Sequence, residues 1–291
     1  YKITEQNEVL KLTESERLNY NLEAISMLKR IERGQRELDI NVQDVLAKYV
    51  GWGGLSSVFD EEKGGSWETA RNFLKENLSE TEYENIKESS LTAFYTPKEV
   101  IDGIYKGLGQ MGFKGGRILE PSMGIGNFIG SIPKEMGDSE ITGVELDSIS
   151  GKIAKLLYPE SRILIKGFEK SDFEDNYFDL AIGNVPFGDF KVFDRRYDKN
   201  NFLIHDYFFA KSIDKVRTGG LIAFITSKGT MEKKNRKIRE YINARCDFLG
   251  AIRLPNNIFK DSAGTEVTSD IIFLKKREKT YNRENTWLNT D

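Results

Sequence analysis

The sequence contains very few of the residues on which several classes of protein depend. Its 291 residues include one cysteine, Cys246, which excludes a disulfide or a cysteine-based zinc site within the chain. The single histidine, His205, opens an apolar helical segment, and this setting favours a packed or surface histidine over a Ser-His-Asp triad. No apolar run approaches the roughly 18 residues of a membrane span. We therefore expect neither a metal nor a membrane among its partners.

The chain also lacks a large excess of either charge. Charged residues make up 31% of it, but the net charge is only -3, so any surface that binds nucleic acid must be local. The sequence begins at Tyr1, without a methionine or an apolar leader. We expect it to be a piece of a longer protein and not a secreted precursor.

The first ninety residues have the pattern of a helical region. Residues 13–16 form a capping-box motif, and apolar residues then follow at helical spacing until Gly34. Further helices are predicted over residues 41–50, 66–78 and 79–88. Residues 1–89 are therefore interpreted as an N-terminal helical region, and residues 90–291 as a second domain.

The second domain alternates short apolar runs with helical segments. The runs cover residues 117–120, 140–144, 162–165, 178–182, 220–225, 248–254 and 271–274. Helical patterns cover residues 127–136, 148–157, 201–217 and 231–245. Strands separated by helices predict an α/β fold whose mostly parallel sheet is covered on both faces.

Two glycine-rich segments resemble phosphate-binding loops but fail the test of context. Residues 51–54, Gly-Trp-Gly-Gly, lack the Lys-Ser/Thr of a phosphate loop, which favours a tight turn with Trp52 packed beneath it. A Gly-x-Gly-x-x-Gly pattern begins at Gly107, but it follows a helix and precedes the first strand, which reverses the order of a dinucleotide site.

A better candidate for a cofactor loop follows the first strand. There Gly124 and Gly126 form a turn that leads into a helix. Glu145 lies at the end of the second strand, 19 residues after Gly126, where an acidic side chain would contact the hydroxyls of a ribose. The third glycine of a pyrophosphate site is replaced by Ile129. This pattern favours a cofactor with one nucleoside and no pyrophosphate.

The fourth strand leads into Asn184-Val185-Pro186-Phe187. An asparagine, a backbone carbonyl and an aromatic side chain at the end of a strand can hold a planar amine by its hydrogens and stack on its ring. This segment resembles the Asn-Pro-Pro-Phe/Tyr motif of adenine-specific DNA methyltransferases. The order of the other motifs over residues 91–275 is similar to that of the same family.

The resemblance implies a Rossmann-like, seven-stranded methyltransferase fold and S-adenosylmethionine as cofactor. The catalytic residues that it implies are Asn184, Val185, Pro186 and Phe187. Those that it implies for the cofactor are Tyr95, Thr96, Glu120, Pro121, Gly124, Gly126, Asn127, Phe128, Glu145, Phe168, Glu169 and Asn184. Ala93 and Phe94 open the segment that corresponds to the family's methionine-binding motif. Phe168 stands where the family usually has Asp.

Within this family, the chain is most similar to methyltransferase domains of large proteins on bacterial mobile elements, in which a helicase-like region often follows. Residues 48–54 and the valine of the catalytic motif carry that similarity. The resemblance implies DNA as substrate, a role related to restriction-modification and a bacterial cytoplasmic location. Val185 replaces the first proline of the motif but supplies the same carbonyl, and Pro186 keeps it extended.

Two local basic segments are candidates for phosphate contact. Residues 188–200 follow the catalytic motif and include Lys191, Arg195 and Arg196, interleaved with aromatic residues. Residues 228–239 carry six basic residues and one acid, among them Lys233 and Lys234. For this second segment a solvated helix face and a DNA contact are equally compatible with the pattern.

Two other functions remain open. One is methyl transfer to RNA or to a protein glutamine, and the other is a catalytically silent DNA-binding or antirestriction module that keeps the fold. Only residues 275–291 follow the last predicted strand, so we expect sequence reading to come from further domains or a separate specificity element. DNA binding by this chain is then expected to be weak, salt-dependent and nearly indifferent to sequence.

Overall fold

The described part of the chain forms ten α-helices and seven strands. The computed structural model describes residues 1–9, 12–90, 95–259, 267–282 and 284–289. The helices are α1 (Glu14–Glu32), α2 (Ile40–Leu46), α3 (Ser66–Asn77), α4 (Glu80–Ser89), α5 (Lys98–Gln110), α6 (Asn127–Gly130), α7 (Ser148–Leu157), α8 (Ile204–Lys215), α9 (Gly229–Glu232) and α10 (Lys237–Arg245). The strands are β1 (Arg117–Glu120), β2 (Glu140–Glu145), β3 (Arg162–Ile165), β4 (Phe178–Asn184), β5 (Val216–Ser227), β6 (Cys246–Arg253) and β7 (Ser269–Lys276). The predicted Ala93 and Phe94 lie outside the described residues.

The helical pattern of the first ninety residues is confirmed. Thr13 caps α1 by the predicted reciprocal contact, in which its hydroxyl accepts from the Glu16 amide and the Glu16 carboxylate accepts from the Thr13 amide. The segment at Gly51 is the predicted tight turn, and Trp52 is fully buried beneath it. The side chain of Asn21 holds this turn, because it donates to the Gly51 carbonyl and accepts from the Val50 amide.

All seven strands pair in one sheet, in the order β3-β2-β1-β4-β5-β7-β6. The first five strands are parallel to one another, whereas β7 runs antiparallel to β5 and to β6. The prediction of a mostly parallel sheet is therefore confirmed, and each of the seven predicted runs is a strand. The order reverses between β1 and β4, which opens a crevice at the carboxyl ends of those strands.

Apolar side chains alternate between the two faces of the sheet, as the period of a strand requires. Ile118 and Leu180 face the cluster that α5 covers, whereas their neighbours Leu119 and Ala181 face the cluster that contains α8 and α10. Helices therefore cover both faces, and the sheet is held between two apolar layers.

A third apolar cluster joins the helical region to the sheet domain. Leu28 of α1 and Leu46 of α2 belong to the same buried cluster as Ile153 of α7 and Ile125 of the predicted cofactor loop. The boundary at residue 89 stays a prediction. The core nevertheless continues across it, so the helical region forms part of the support of the cofactor loop.

Four helix predictions were wrong in length. Residues 47–50 lie beyond the end of α2, and residues 216–217 belong to β5 and not to the helix expected over 201–217. The other two predicted helices are interrupted by a local breaker. The helix expected over 127–136 stops at Gly130, because Pro133 supplies no amide donor and keeps the preceding residue extended. The helix expected over 231–245 is two helices, since Lys233 is extended and the Asn235 side chain accepts from the Lys237 amide at the start of α10. In both cases a local breaker outweighs the helical spacing of the apolar residues.

No helix in the described ranges is both long and apolar enough to cross a membrane.

Candidate functional site

The carboxyl ends of β1, β2, β3 and β4 surround one cavity of about 420 Å³. Most of the residues predicted to bind the cofactor line it. These are Tyr95, Thr96, Glu120, Pro121, Gly124, Asn127, Phe128, Glu145, Phe168, Glu169 and Asn184, with Pro186 from the catalytic motif. A cavity of this size at the switch point of a parallel sheet is suited to a small-molecule cofactor.

Gly126 does not line the cavity, but its backbone shapes the loop that does. Its φ of 89° lies in the left-handed region, directly before the first residue of α6. A Cβ at this position would lie 2.6 Å from Cε2 of Tyr158, so a side chain is excluded both by conformation and by contact. The ring of Tyr158 thus packs against the loop and determines how closely the loop approaches the cavity.

Glu145 presents its carboxyl group to the cavity from the end of β2. Its Oε2 accepts from the Gly124 amide at 2.7 Å, and its Oε1 accepts from the Asp147 amide at 2.8 Å. Burial, with repulsion from Asp147, raises the pKa of Glu145 to about 7, although the backbone hydrogen bonds oppose this shift. Each oxygen keeps a further lone pair, so the group can still accept from a ligand hydroxyl.

Glu120 is a second carboxyl group in the same cavity. It is 1% exposed, and its Oε2 has no hydrogen-bond partner among the described residues. Burial and the nearby Glu145 hold the pKa of Glu120 well above its usual range. A buried carboxyl oxygen that faces a cavity without a partner is suited to a polar or cationic ligand group.

The turn after β3 forms an apolar wall of the cavity. Phe168 packs against Phe208 of α8, with ring centroids 5.1 Å apart. The ammonium group of Lys211, itself buried, donates to the carbonyl of Phe168 at 2.7 Å and to that of Glu169 at 3.2 Å. A rigid aromatic wall of this kind can hold a planar ring system.

The predicted catalytic segment lies at the end of β4, on the side of the cavity opposite the turn after β3. Asn184 and Pro186 line the cavity, and Ser122 of the cofactor loop donates to the Asn184 carbonyl at 2.9 Å. Val185 is 1% exposed, and its amide donates to the carbonyl of Ile225. The first residue after Asn184 is therefore fixed by the sheet itself.

Phe187 does not line the cavity. Its half-buried ring packs against the clusters on both faces of the sheet. From the segment that follows the motif, Phe190 and Val192 line the cavity. The sequence analysis assigned Phe190 to the segment 188–200, which was predicted to contact nucleic acid. No pattern within that segment indicated which of its aromatic residues would line the cavity.

Other lining residues were not predicted from the sequence. They are Glu88, Ser89, Leu146, Asp147, Ser150, Val192, Ile204 and Phe208, whereas Ser122, Met123, Lys166 and Gly167 lie within segments 120–128 and 166–169, which the resemblance assigns to the cofactor. The position of Leu146 directly after Glu145 was a usable signal. The contributions of α4 and α8 had none, because helices distant in sequence reach the site only through packing.

The predicted basic residues differ in how far they are free to bind a ligand. Arg196 is paired with Asp175 and with Asp214, and Lys191 donates to Asn201. Lys233 is paired with the buried Asp206. Two of the predicted residues, Arg195 and Lys234, are exposed and have neither an ion-pair nor a side-chain hydrogen-bond partner within the described ranges. Residues 228–239 span two helices, and Arg239 is fully buried and donates to the Leu288 carbonyl, so Arg239 takes part in neither a solvated helix face nor a DNA contact.

The two rare residues are both packed. His205 is 5% exposed in the first turn of α8, as predicted, and burial lowers its pKa. Cys246 begins β6 directly after α10, and burial raises the pKa of its thiol to about 12, which suppresses the thiolate needed for nucleophilic attack. No group of three or more potential metal ligands is present among the described residues.

Comparison with known sequences identifies the relatives of this chain. The family model described as N-6 DNA Methylase matches residues 80–290. Defense against restriction protein B of Escherichia phage P1 is 33% identical over 193 residues, which are 64% of this chain and 8% of that protein. The type II methyltransferase M.CvrRI of Paramecium bursaria Chlorella virus XZ-6E is 38% identical over 94 residues, which are 32% of this chain and 24% of that protein. The chain thus spans a small part of these relatives.

Comparison with solved structures identifies the fold. A protein described as a class I S-adenosylmethionine-dependent methyltransferase of Listeria monocytogenes matches with a TM-score of 0.56 at 16% identity, over 92% of this chain and 91% of the other. The methyltransferase subunit of a type I restriction-modification system of Streptococcus thermophilus matches with a TM-score of 0.54 at 17% identity, over 88% of this chain and 66% of the other. The predicted Rossmann-like methyltransferase fold is confirmed.

Proposed function

Because the chain belongs to the N-6 DNA methylase family, a family that uses S-adenosylmethionine, we propose that it methylates the exocyclic amine of adenine in DNA. The observation that carries this proposal is the placement of Asn184, Glu145 and the Gly124 loop around one cavity. In this arrangement Asn184 can hold a planar amine and Glu145 can hold a nucleoside at the same cavity.

The cavity residues fit S-adenosylmethionine. The two oxygens of Glu145 would accept from the ribose hydroxyls, and the wall that includes Phe168 and Phe208 would hold the adenine ring. The unpartnered carboxyl oxygen of Glu120 would face the cationic part of the molecule. When bound, this cofactor supplies an electrophilic methyl group on a sulfonium.

The substrate amine would be held by the end of β4. Its lone pair is delocalised into the adenine ring, so the nitrogen is a poor nucleophile. If the Oδ1 of Asn184 and the carbonyl of Val185 accept its two N–H bonds, the nitrogen is drawn towards tetrahedral geometry. The base must leave the duplex to reach this cavity, and Phe187 would stack on it after a change of its packing.

A labelled-methyl assay tests the proposal. The chain is incubated with methyl-labelled S-adenosylmethionine and, in separate reactions, with mixed-sequence DNA, RNA and protein, followed by mass analysis of nucleosides and peptides. We expect label in DNA, as N6-methyladenine. Label in RNA or in a glutamine side chain would instead support the second enzymatic interpretation.

A catalytically silent module is the alternative that one observation favours. The phage relative is described as a defense against restriction, and Val185 replaces the first proline of the catalytic motif. Such a module would bind DNA but transfer no methyl group to any of the three substrates. Calorimetry with S-adenosylmethionine alone separates a silent domain that keeps its cofactor site from one that has lost it.

A further inference from the structure

The segment after the catalytic motif, residues 188–201, holds three aromatic side chains with three different surroundings. We call it the post-motif loop. Phe190 lines the cofactor cavity, and Tyr197 is 4% exposed with its hydroxyl donating to Asp214. Phe193 is 82% exposed, the highest value for a large apolar side chain in the described part of the chain. Tyr197 belongs to the core, Phe190 lines the cavity and is itself 45% exposed, and Phe193 is almost fully exposed to water.

The post-motif loop is held firmly on both sides of Phe193. On one side, the Phe190 carbonyl accepts from the Ile204 amide at the start of α8. On the other, the Asp194 carboxylate accepts from the hydroxyl of Tyr207 at 2.8 Å and from the ammonium of the buried Lys211 at 3.2 Å. Residues on both sides of Phe193 are therefore anchored to α8, while the ring of Phe193 itself is exposed.

The same Lys211 connects this loop to the cofactor cavity. Besides Asp194, it donates to the carbonyl of Phe168, whose ring lines the cavity. The position of Phe193 is thus tied to the wall of the cavity and to the end of β4, which the loop follows directly. The residue before Phe193, Val192, lines the cavity, so the exposed ring lies close to the site at which a substrate would arrive.

The charges around Phe193 favour a nucleic acid as that substrate. Lys191 and Arg195 lie two residues before and after it, both are exposed, and Arg195 has no partner among the described residues. The acid next to Phe193, Asp194, is turned to Tyr207 and Lys211. An aromatic ring between two cationic side chains can stack on bases while the cations neutralise the neighbouring phosphates.

We propose that Phe193 stacks on the bases of duplex DNA beside the nucleotide that leaves the helix. This inference rests on the proposed function and adds a residue that it does not use. An apolar ring that enters the base stack offsets part of the cost of extruding a nucleotide. Lys191 and Arg195 would contact the phosphates on either side of the inserted ring.

The test is the binding of short mixed-sequence duplexes to the Phe193→Ala variant. Loss of one stacked base corresponds to a decrease in affinity of about fivefold to 150-fold. The slope of affinity against salt should stay unchanged, because no phosphate contact is removed, whereas Arg195→Ala should reduce that slope. Phe193→Trp should restore binding, since stacking depends on the aromatic face.

Met111→Ala is the matched control. Met111 is also an exposed apolar residue, at 41%, but it follows α5 at the amino-terminal edge of the sheet. The Met111→Ala variant should bind duplex DNA with the same affinity as the unaltered chain. Thermal unfolding and S-adenosylmethionine affinity should be the same in all four variants, which shows that neither folding nor the cofactor site has changed.

Mixed-sequence duplexes in which 2-aminopurine replaces each adenine in turn give a second readout. Their fluorescence should rise on binding to the unaltered chain and rise much less with Phe193→Ala. Equal affinity and equal fluorescence for these two proteins would overturn the inference, even if DNA is methylated. If duplex binding depends on Phe193 but no methyl group is transferred, the proposed function fails and the stacking role stands.

Discussion

At the scale of single residues, the site is governed by two carboxyl groups in one cavity. Glu120 and Glu145 end neighbouring strands, and burial raises the pKa of both. The free cavity therefore holds less than its full negative charge at neutral pH. A ligand that carries a positive charge and two hydroxyl donors favours the charged forms, so ligand binding and proton release are coupled.

The affinity for S-adenosylmethionine should therefore depend on pH. Below a pKa of about 7, Glu145 carries a proton and loses acceptor capacity, so affinity should increase as the pH rises through 7 and then level off. Calorimetry at pH values on both sides of 7 measures this. Glu145→Gln cannot titrate and should bind more weakly, with a flatter profile. An identical profile in the two proteins would show that another group controls binding.

Removal of the Glu145 side chain should reduce affinity more strongly. Each charge-assisted hydrogen bond contributes about 1.5 to 3 kcal/mol, so Glu145→Ala should weaken cofactor binding at least tenfold while circular dichroism stays unchanged. Glu84→Ala is the control, because Glu84 is an exposed carboxylate on α4 that does not line the cavity, and cofactor affinity in this variant should be unchanged. Unaltered affinity in Glu145→Ala would remove Glu145 from the cofactor site.

Asn184→Ala should separate binding from chemistry. We expect cofactor affinity within a few-fold of the unaltered chain and no methyl transfer, because the side chain is assigned mainly to the substrate amine. Calorimetry and the labelled-methyl assay measure the two quantities on the same preparation. Wild-type turnover in this variant would contradict the proposed mechanism.

At the scale of elements, the cofactor loop depends on a close contact between a glycine and a tyrosine. Gly126→Ala should lower the free energy of unfolding by about 2 to 4 kcal/mol, because it adds a clash with Tyr158 to the strain of a left-handed residue. Gly34→Ala is the matched control, since Gly34 also has a positive φ but no atom within 4 Å of an added Cβ.

The control should lose about 1 kcal/mol, which is the cost of the conformation alone. Only Gly126→Ala should also weaken S-adenosylmethionine binding, because only its loop approaches the cavity. Denaturant unfolding and calorimetry give both numbers. Equal losses of stability in the two variants would show that the contact with Tyr158 is not restrictive.

At the scale of the whole molecule, buried ion pairs join the helical region to the sheet domain. Glu82 of α4 is bound by Lys29 of α1 and by Lys152 of α7, each at 2.7 Å. Burial acts to raise the pKa of Glu82, but the hydrogen bonds from the two lysines outweigh it and lower the pKa to about 2. The contacts tie together elements on both sides of residue 89.

Glu82→Gln should lower the free energy of unfolding by about 1 to 3 kcal/mol at neutral pH. The pKa of Glu82 is lower in the folded chain than its usual 4.5, so its contribution is complete above pH 4.5 and is lost as the pH falls towards 2. The difference in free energy of unfolding between the unaltered chain and Glu82→Gln should therefore decrease over that range.

Unfolding of the chain should remain a single transition, because these contacts join the helical region to the sheet domain. Two separate transitions would show that the helical region folds independently.

The sequence by itself determined the fold class and the order of the motifs. All seven strands were predicted, because strand periodicity and turn residues are local properties that do not depend on distant contacts. Glu145 and Asn184 were found for the same reason: both follow recognisable strands, and the carboxyl ends of parallel strands meet at one edge. The capping box at Thr13 and the turn at Gly51 are local patterns of the same kind.

Only the tertiary structure decided which members of each pattern act together. Phe190, Phe193 and Tyr197 are equivalent in sequence, but packing places one at the cavity, one in water and one in the core. Arg196 and Arg195 are neighbours with the same charge, yet among the described residues only Arg196 meets carboxylates from distant elements. Burial and ion pairing depend on which elements the fold brings together, and local sequence carries no record of those neighbours.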